Sequence, residues 1–218
     1  MQIKRRQFLR ASGTIALLPI DNSPSDRAKD ISGIAPPLAF ALTDAATGRR
    51  VTEADFRGSV ALLYFGYTFC PDVCPATLTN LVDVLDRLGP LAGQVRVLFV
   101  TVDPQRDTVP VLHHYVSLFS PWISGLRGTA DQLAILARRY RVLYSVSMAQ
   151  HGQTIEVSHS AAVFVFDRSA AARLLEPTMS SSRPDIAGMV ADLRRLLAEP
   201  AAIGNVSDRL GREPGTAW

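Results

Sequence analysis

Strands alternating with helices, then a late β-hairpin and a closing helix, predict an α/β domain: a mixed central sheet with helices on both faces and an N-terminal β-hairpin. Three observations carry this. Apolar runs at residues 60–65, 95–102 and 161–166 are short and rich in Val, Leu and Phe, as buried strands require. Stretches with apolar residues at helical spacing lie between strands, such as the face of Leu78, Leu81, Val82, Leu85 and Leu88. A short partner strand at 173–175 follows the turn Asp167-Arg168-Ser169, and a last helical stretch covers 186–197.

Residues 1–20 carry Lys4-Arg5-Arg6-Gln7-Phe8-Leu9-Arg10 and then an apolar run, a pattern that resembles a twin-arginine export leader. That run is about ten residues against the roughly twenty of a spanning helix, so it is read as a leader, or uncleaved as a tether to the inner membrane. The basic leader also explains the charge. The formal net charge is +3, and setting aside the four cations of the acid-free residues 1–20 leaves −1. The basic balance therefore gives no reason to expect a nucleic-acid partner.

Residues 21–36, rich in Asp, Ser, Pro and Gly, read as a linker, and the folded domain is expected over 37–198. With 218 residues and 47% hydrophobic content the chain has length for one sizeable core. The hairpin is expected from 38–42 and 49–52 around a turn at 43–48. A strand at 60–65 leads through a loop to a helix at 75–88, and a strand at 95–102 leads through Asp103-Pro104-Gln105-Arg106-Asp107 to a helix at 109–119 that Asp107 or Thr108 can cap. A helix at 129–140, a strand at 142–146 and the closing strands and helix complete the set, and 199–218 is expected as a loose tail. This order is a thioredoxin-like architecture.

Both cysteines, Cys70 and Cys74, fall where the first long strand turns into a helix. Unpaired N–H groups and the helix dipole favour thiolate there, so the pair is expected to be reactive or metal-binding. Three intervening residues let the pair close a small disulfide or direct both sulfurs at one soft ion, whose remaining ligand must come from elsewhere. Of the four histidines, His113 and His114 are helix neighbours that face different ways, and His151 sits beside Gly152 in a loop. His159, in Val157-Ser158-His159-Ser160-Ala161, directly precedes an apolar strand. Asp103 and Asp107 read either as turn and cap residues or as groups that orient a ligand; Asp72 reads as exposed, and Tyr64, Phe65, Tyr67 and Phe69 as strand core and an apolar rim.

Three motifs in order, Gly66-Tyr67-Thr68-Phe69-Cys70-Pro71-Asp72-Val73-Cys74-Pro75, then Thr101-Val102-Asp103-Pro104-Gln105-Arg106-Asp107-Thr108, then His159-Ser160-Ala161, resemble the Sco/SenC family over residues 38–197. The resemblance implies a thioredoxin-like fold and copper held by Cys70, Cys74 and His159. It also implies delivery of copper to the CuA centre of cytochrome c oxidase, or reduction of that site's cysteines by Cys70 and Cys74 acting as a thiol-disulfide pair. The sequence departs from the family in its short leader where a transmembrane helix is common, and in Val109-Pro110 where proline is expected directly after the threonine.

Two thiolates and an imidazole suit copper in both oxidation states, whereas a structural zinc site wants a fourth ligand. Export would place the chain in the periplasm, where a thiol reductase must keep the pair reduced. A thiol peroxidase is the remaining reading, and the chain lacks a Pro-x-x-x-Thr-x-x-Cys pattern.

Overall fold

The computed structural model describes residues 28–144 and 161–200. Among them, eight strands form one sheet in the order β1-β8-β7-β4-β5-β6-β2-β3. The strands are β1 (Lys29–Asp30), β2 (Ala41–Asp44), β3 (Arg50–Thr52), β4 (Val60–Gly66), β5 (Val95–Thr101), β6 (Ile123–Arg127), β7 (Val163–Phe166) and β8 (Ala172–Glu176). The helices are α1 (Val73–Leu88), α2 (Val109–Ser117), α3 (Ala130–Arg139) and α4 (Ile186–Ala198). β4, β5 and β6 are parallel, while β7 runs antiparallel to β4 and every other pairing is antiparallel.

Every residue of β4 is buried, so both faces of the sheet centre are covered. Right-handed β4-α1-β5 and β5-α2-β6 crossovers place α1 and α2 on one face. The α2 contact is close at Gly125, where a Cβ would stand 2.8 Å from Leu112 Cγ. α4 packs beside α1. Tyr140, which caps α3, covers the opposite face, its ring 5.5 Å from Phe164 and 5.6 Å from Phe166.

Several expectations shift. The hairpin forms with its first arm displaced to Ala41–Asp44 and its second at Arg50–Thr52, and Asp44 closes the turn by accepting from the Ala46 and Thr47 N–H groups at 2.9 and 2.8 Å. Helix α1 begins at Val73, ahead of the proline expected to start it, which puts Cys74 inside its first turn. Residues 123–127 form a strand that apolar patterning missed, since Ser124 and Gly125 interrupt the run. The strand expected at 142–146 is absent over 142–144, and 145–146 lie outside the described residues. There the chain ends α3 in a Schellman turn: Arg141 takes φ 55°, its N–H bonds the Arg138 carbonyl at 3.1 Å, and Val142 N–H bonds that of Ala137 at 2.8 Å. Within the stretch read as a linker, Lys29 and Asp30 pair with Leu175 and Leu174 of β8. Glu199, the first residue of the expected tail, pairs with Arg173 at 2.5 Å. Residues 1–27 and 201–218, with the leader and the rest of the tail, lie outside the described residues.

Candidate metal centre

Parallel strands of an α/β sheet present their carboxyl ends, and the loops that leave them, to a common crevice. Here β4 ends at Gly66 and β5 at Thr101, and these two residues are paired in register. The 67–72 loop leaves β4, and the two cysteines follow it into α1. Both are free thiols. Cys74 is fully buried, whereas Cys70 is half-buried at the loop surface.

The two sulfurs receive different donors. Cys74 N–H lies 3.4 Å from the Cys70 sulfur, and the Asp72 N–H and the Tyr67 side chain also bond it. Partial burial opposes ionisation of Cys70, but these donors outweigh it and hold its thiol below the ordinary value. Burial pushes the Cys74 thiol up to about 12, although the Tyr64 hydroxyl at 3.5 Å and the Tyr67 N–H favour its charged form. The expectation of two activated thiols thus holds for Cys70 alone. A helix N-terminus lowers a thiol's pKa only where burial costs less than its N–H groups return.

The backbone leaves little slack behind Cys74. A Cβ on Gly66 would stand 2.6 Å from Phe99 Cε2 and 3.0 Å from the Cys74 sulfur, so only glycine lets β4 approach α1 this closely.

The second motif grips the cysteine loop from the β5 side. The buried Asp107 carboxylate accepts from the Thr68 N–H at 3.1 Å, the Thr68 hydroxyl at 2.6 Å and the Thr101 hydroxyl at 2.5 Å. Burial holds its carboxyl above the usual range, against these bonds. Asp103 receives the Arg106 guanidinium, which lies 4.8 Å from the centre of the Phe69 ring and 5.9 Å from that of Tyr67. Arg127 of β6 donates to the carbonyls of Asp107 at 3.0 Å and Pro104 at 2.8 Å. Asp107 is neither the cap of α2, whose N-cap is Thr108, nor a group touching a sulfur; it positions the loop through Thr68. Asp72 is exposed, and Phe69 is 56% exposed at the rim.

His113 and His114 are exposed on α2, away from any cluster; among the described residues no three His, Cys, Asp or Glu side chains converge as a metal site. His151 and His159 lie outside the described residues. Ala161, two residues after His159, is described, and β7 beginning at Val163 runs antiparallel to β4. Continuing the Leu63–Phe164 register by one step sets Val163 beside Tyr64, at the cysteine end of β4. Sequence reading passed over Thr68 and Arg127; Arg127 sits in the missed strand, and no local signal marks a threonine that bonds across the fold.

A mixed sheet that delivers one activated and one buried thiol to the mouth of a helix defines a thioredoxin-like thiol protein, able to form a disulfide or hold a soft cation. Comparison with known proteins narrows this class. The SCO1/SenC family model matches residues 34–198. The mitochondrial SCO2 homolog of Bos taurus is 42% identical over 156 residues, 67% of this chain and 59% of that protein. Protein SenC of Rhodobacter capsulatus is 37% identical over 121 residues, 56% of this chain and 54% of that one, so the chain spans little more than half the length of these relatives. The solved structure of Bradyrhizobium japonicum ScoI with copper bound superposes with a TM-score of 0.65 at 35% identity, covering 75% of this chain and all of that one. The chain belongs to the SCO1/SenC family.

Proposed function

We propose that this protein is an exported copper metallochaperone that takes copper on Cys70, Cys74 and His159 and passes it to the CuA centre of cytochrome c oxidase during assembly. The supporting observation is the pair of free sulfurs brought together at the mouth of α1, with Cys74 N–H 3.4 Å from the Cys70 sulfur. Two soft donors suit Cu(I), and an imidazole added to them suits Cu(II). Relatives whose structures hold copper support the reading, among them the Bradyrhizobium protein and Arabidopsis thaliana ScoI, the latter 30% identical. The leader at 1–20 is the proposed export signal to the periplasm, joined by residues 21–36 to the copper-binding domain of 37–198, with 199–218 as the tail.

Copper is cargo here, so the site must release it. Half-exposure of Cys70 leaves one sulfur open to an incoming ligand while buried Cys74 keeps its hold. The reduced protein is expected to bind one copper ion, and His159→Ala to change the Cu(II) spectrum. No uptake, or an unchanged spectrum, overturns the proposal.

The unequal thiols support a second role in the same assembly. Cys70, activated and accessible, has the character of an attacking thiol, and Cys74 that of a buried resolving one. In this role the protein reduces the disulfide of a copper apo-site and is itself restored by a thiol reductase. Trapping a mixed disulfide with a Cys74→Ser variant, and not with Cys70→Ser, is the expected result. Trapping through Cys74 instead removes this reading.

A further inference from the structure

The thiols sit at the end of the sheet where β4 reaches Gly66; at the other end β4 begins at Val60, and the turn from β7 to β8 carries Ala170. Leu38 N–H bonds the Ala170 carbonyl at 2.8 Å, and the neighbouring Pro37 carbonyl accepts from Arg139 and from the Tyr140 hydroxyl, each at 3.0 Å. The last turn of α3 therefore lies away from the thiols, on the sheet face opposite α1. Its outer ridge carries Ile135, Arg138 and Arg139 at helical spacing, and Arg141 and Leu143 extend it. All five are exposed, Ile135 by 60% and Leu143 by 79%. Among the described residues none of the three arginines forms an ion pair with a carboxylate. Asp131, the acid of α3, stands about 10 Å along the helix axis from Arg138. Beside the ridge an apolar cavity of about 210 Å³ is lined by Ala39, Phe40, Leu42, Ile135, Leu136 and Arg139.

Magnitudes and chemistry select the occupant. Small-molecule sites run to roughly 300–1,000 Å³, so this cavity takes the end of a chain and not a whole ligand. An acidic protein would satisfy the arginines but would leave Ile135 and Leu143 against charge, and the cores of protein interfaces are depleted of charge. A bilayer offers phosphates and, a few ångströms deeper, hydrocarbon, so it meets both kinds of side chain. We propose that the ridge from Ile135 to Leu143 docks reversibly on a bilayer containing anionic phospholipid, with Arg138, Arg139 and Arg141 on the phosphates and Ile135 and Leu143 at the acyl boundary. The contact is peripheral, made by one helix face and the turn that ends it. Docked this way, the protein keeps the mouth of α1 on the far side of the sheet, and Cys70 stays accessible. The inference does not rest on the metallochaperone reading.

Arginine footprinting on the full chain reads the ridge separately from the basic leader. Phenylglyoxal labels exposed guanidiniums, and peptide mapping gives a rate for each. With vesicles of phosphatidylglycerol and phosphatidylcholine in equal parts, Arg138, Arg139 and Arg141 are expected to label more slowly, while exposed Arg183, between β8 and α4, keeps its rate. Vesicles of phosphatidylcholine alone are expected to protect none of them. In the double variant Arg138→Gln, Arg141→Gln, the lipid concentration that half-protects Arg139 is expected to rise about 25-fold, at roughly fivefold for each arginine removed. Leu143→Asn, at a position too exposed to matter for folding, is expected to weaken protection by vesicles and to leave any protection by soluble polyglutamate unchanged. Unchanged labelling of the three arginines with anionic vesicles, or equal protection by the two kinds of vesicle, overturns the inference. Protection by polyglutamate as strong as by vesicles, with Leu143→Asn without effect on either, assigns the ridge to an acidic protein and also overturns it.

Discussion

Replacing Asp107 with alanine tests whether the cysteine loop is held from the β5 side. The change strips the acceptor from the Thr68 N–H, the Thr68 hydroxyl and the Thr101 hydroxyl, bonded at 3.1, 2.6 and 2.5 Å. Thr101 is fully buried and has no water to turn to, which costs about 1–3 kcal/mol; the half-buried Thr68 donors cost about 1 kcal/mol each. Alanine also removes the penalty of keeping a carboxylate out of water, so the net expectation is a loss of about 2–3 kcal/mol at neutral pH. Asp107→Asn keeps one acceptor and is expected to lose about half as much.

The pH dependence has a definite sign. Burial raises the folded pKa of Asp107 above its ordinary 3.8. The folded state thus binds this proton more tightly than the unfolded chain does. Its contribution to stability is full below 3.8 and is lost as pH rises through the folded value. The wild-type advantage over Asp107→Asn should accordingly be widest in acid and narrow toward neutral pH. Urea unfolding at a series of pH values measures both effects, and alkylation of Cys70 reports the loop. If Asp107→Ala unfolds within about 0.5 kcal/mol of wild type, with Cys70 reacting at the same rate, the positioning role is refuted.

Iodoacetamide should label Cys70 at least about tenfold faster than Cys74 near neutral pH, from thiolate fraction and access together. Peptide mapping reads the ratio, and equal labelling contradicts the asymmetry. Gly66→Ala, which forces a methyl against Phe99 and the Cys74 sulfur, should cost about 1–3 kcal/mol by thermal or urea unfolding; a neutral effect would mean that β4 and α1 can separate freely. Arg127→Ala frees the Asp107 and Pro104 carbonyls and should cost about 1–2 kcal/mol, with faster Cys70 labelling. Unchanged labelling would confine Arg127 to stability.

The three motifs each resolve into a physical task. The first carries both sulfurs and the glycine that lets α1 sit against β4. In the second, Asp103 and Asp107 hold the first motif in place through Arg106 and Thr68. The third leads into β7, the antiparallel neighbour of β4.

Periodicity and spacing alone located β4, β5, β7, β8 and the four α-helices of the described residues, because burying a sheet between helices imposes apolar runs and helical stripes that can be counted along the chain. The family was legible too, since Cys70, Cys74, Asp103 and Asp107 sit in short contiguous motifs. Ile123–Arg127 escaped because a strand that meets a helix through Gly125 needs no alternation of its own. What only the tertiary structure decided is the inequality of the two thiols. Cys70 and Cys74 share one motif and one helix entrance, but desolvation and hydrogen bonding act across space: Gly66, Phe99 and Tyr64 enclose one sulfur, and the surface of the loop leaves the other within reach of solvent.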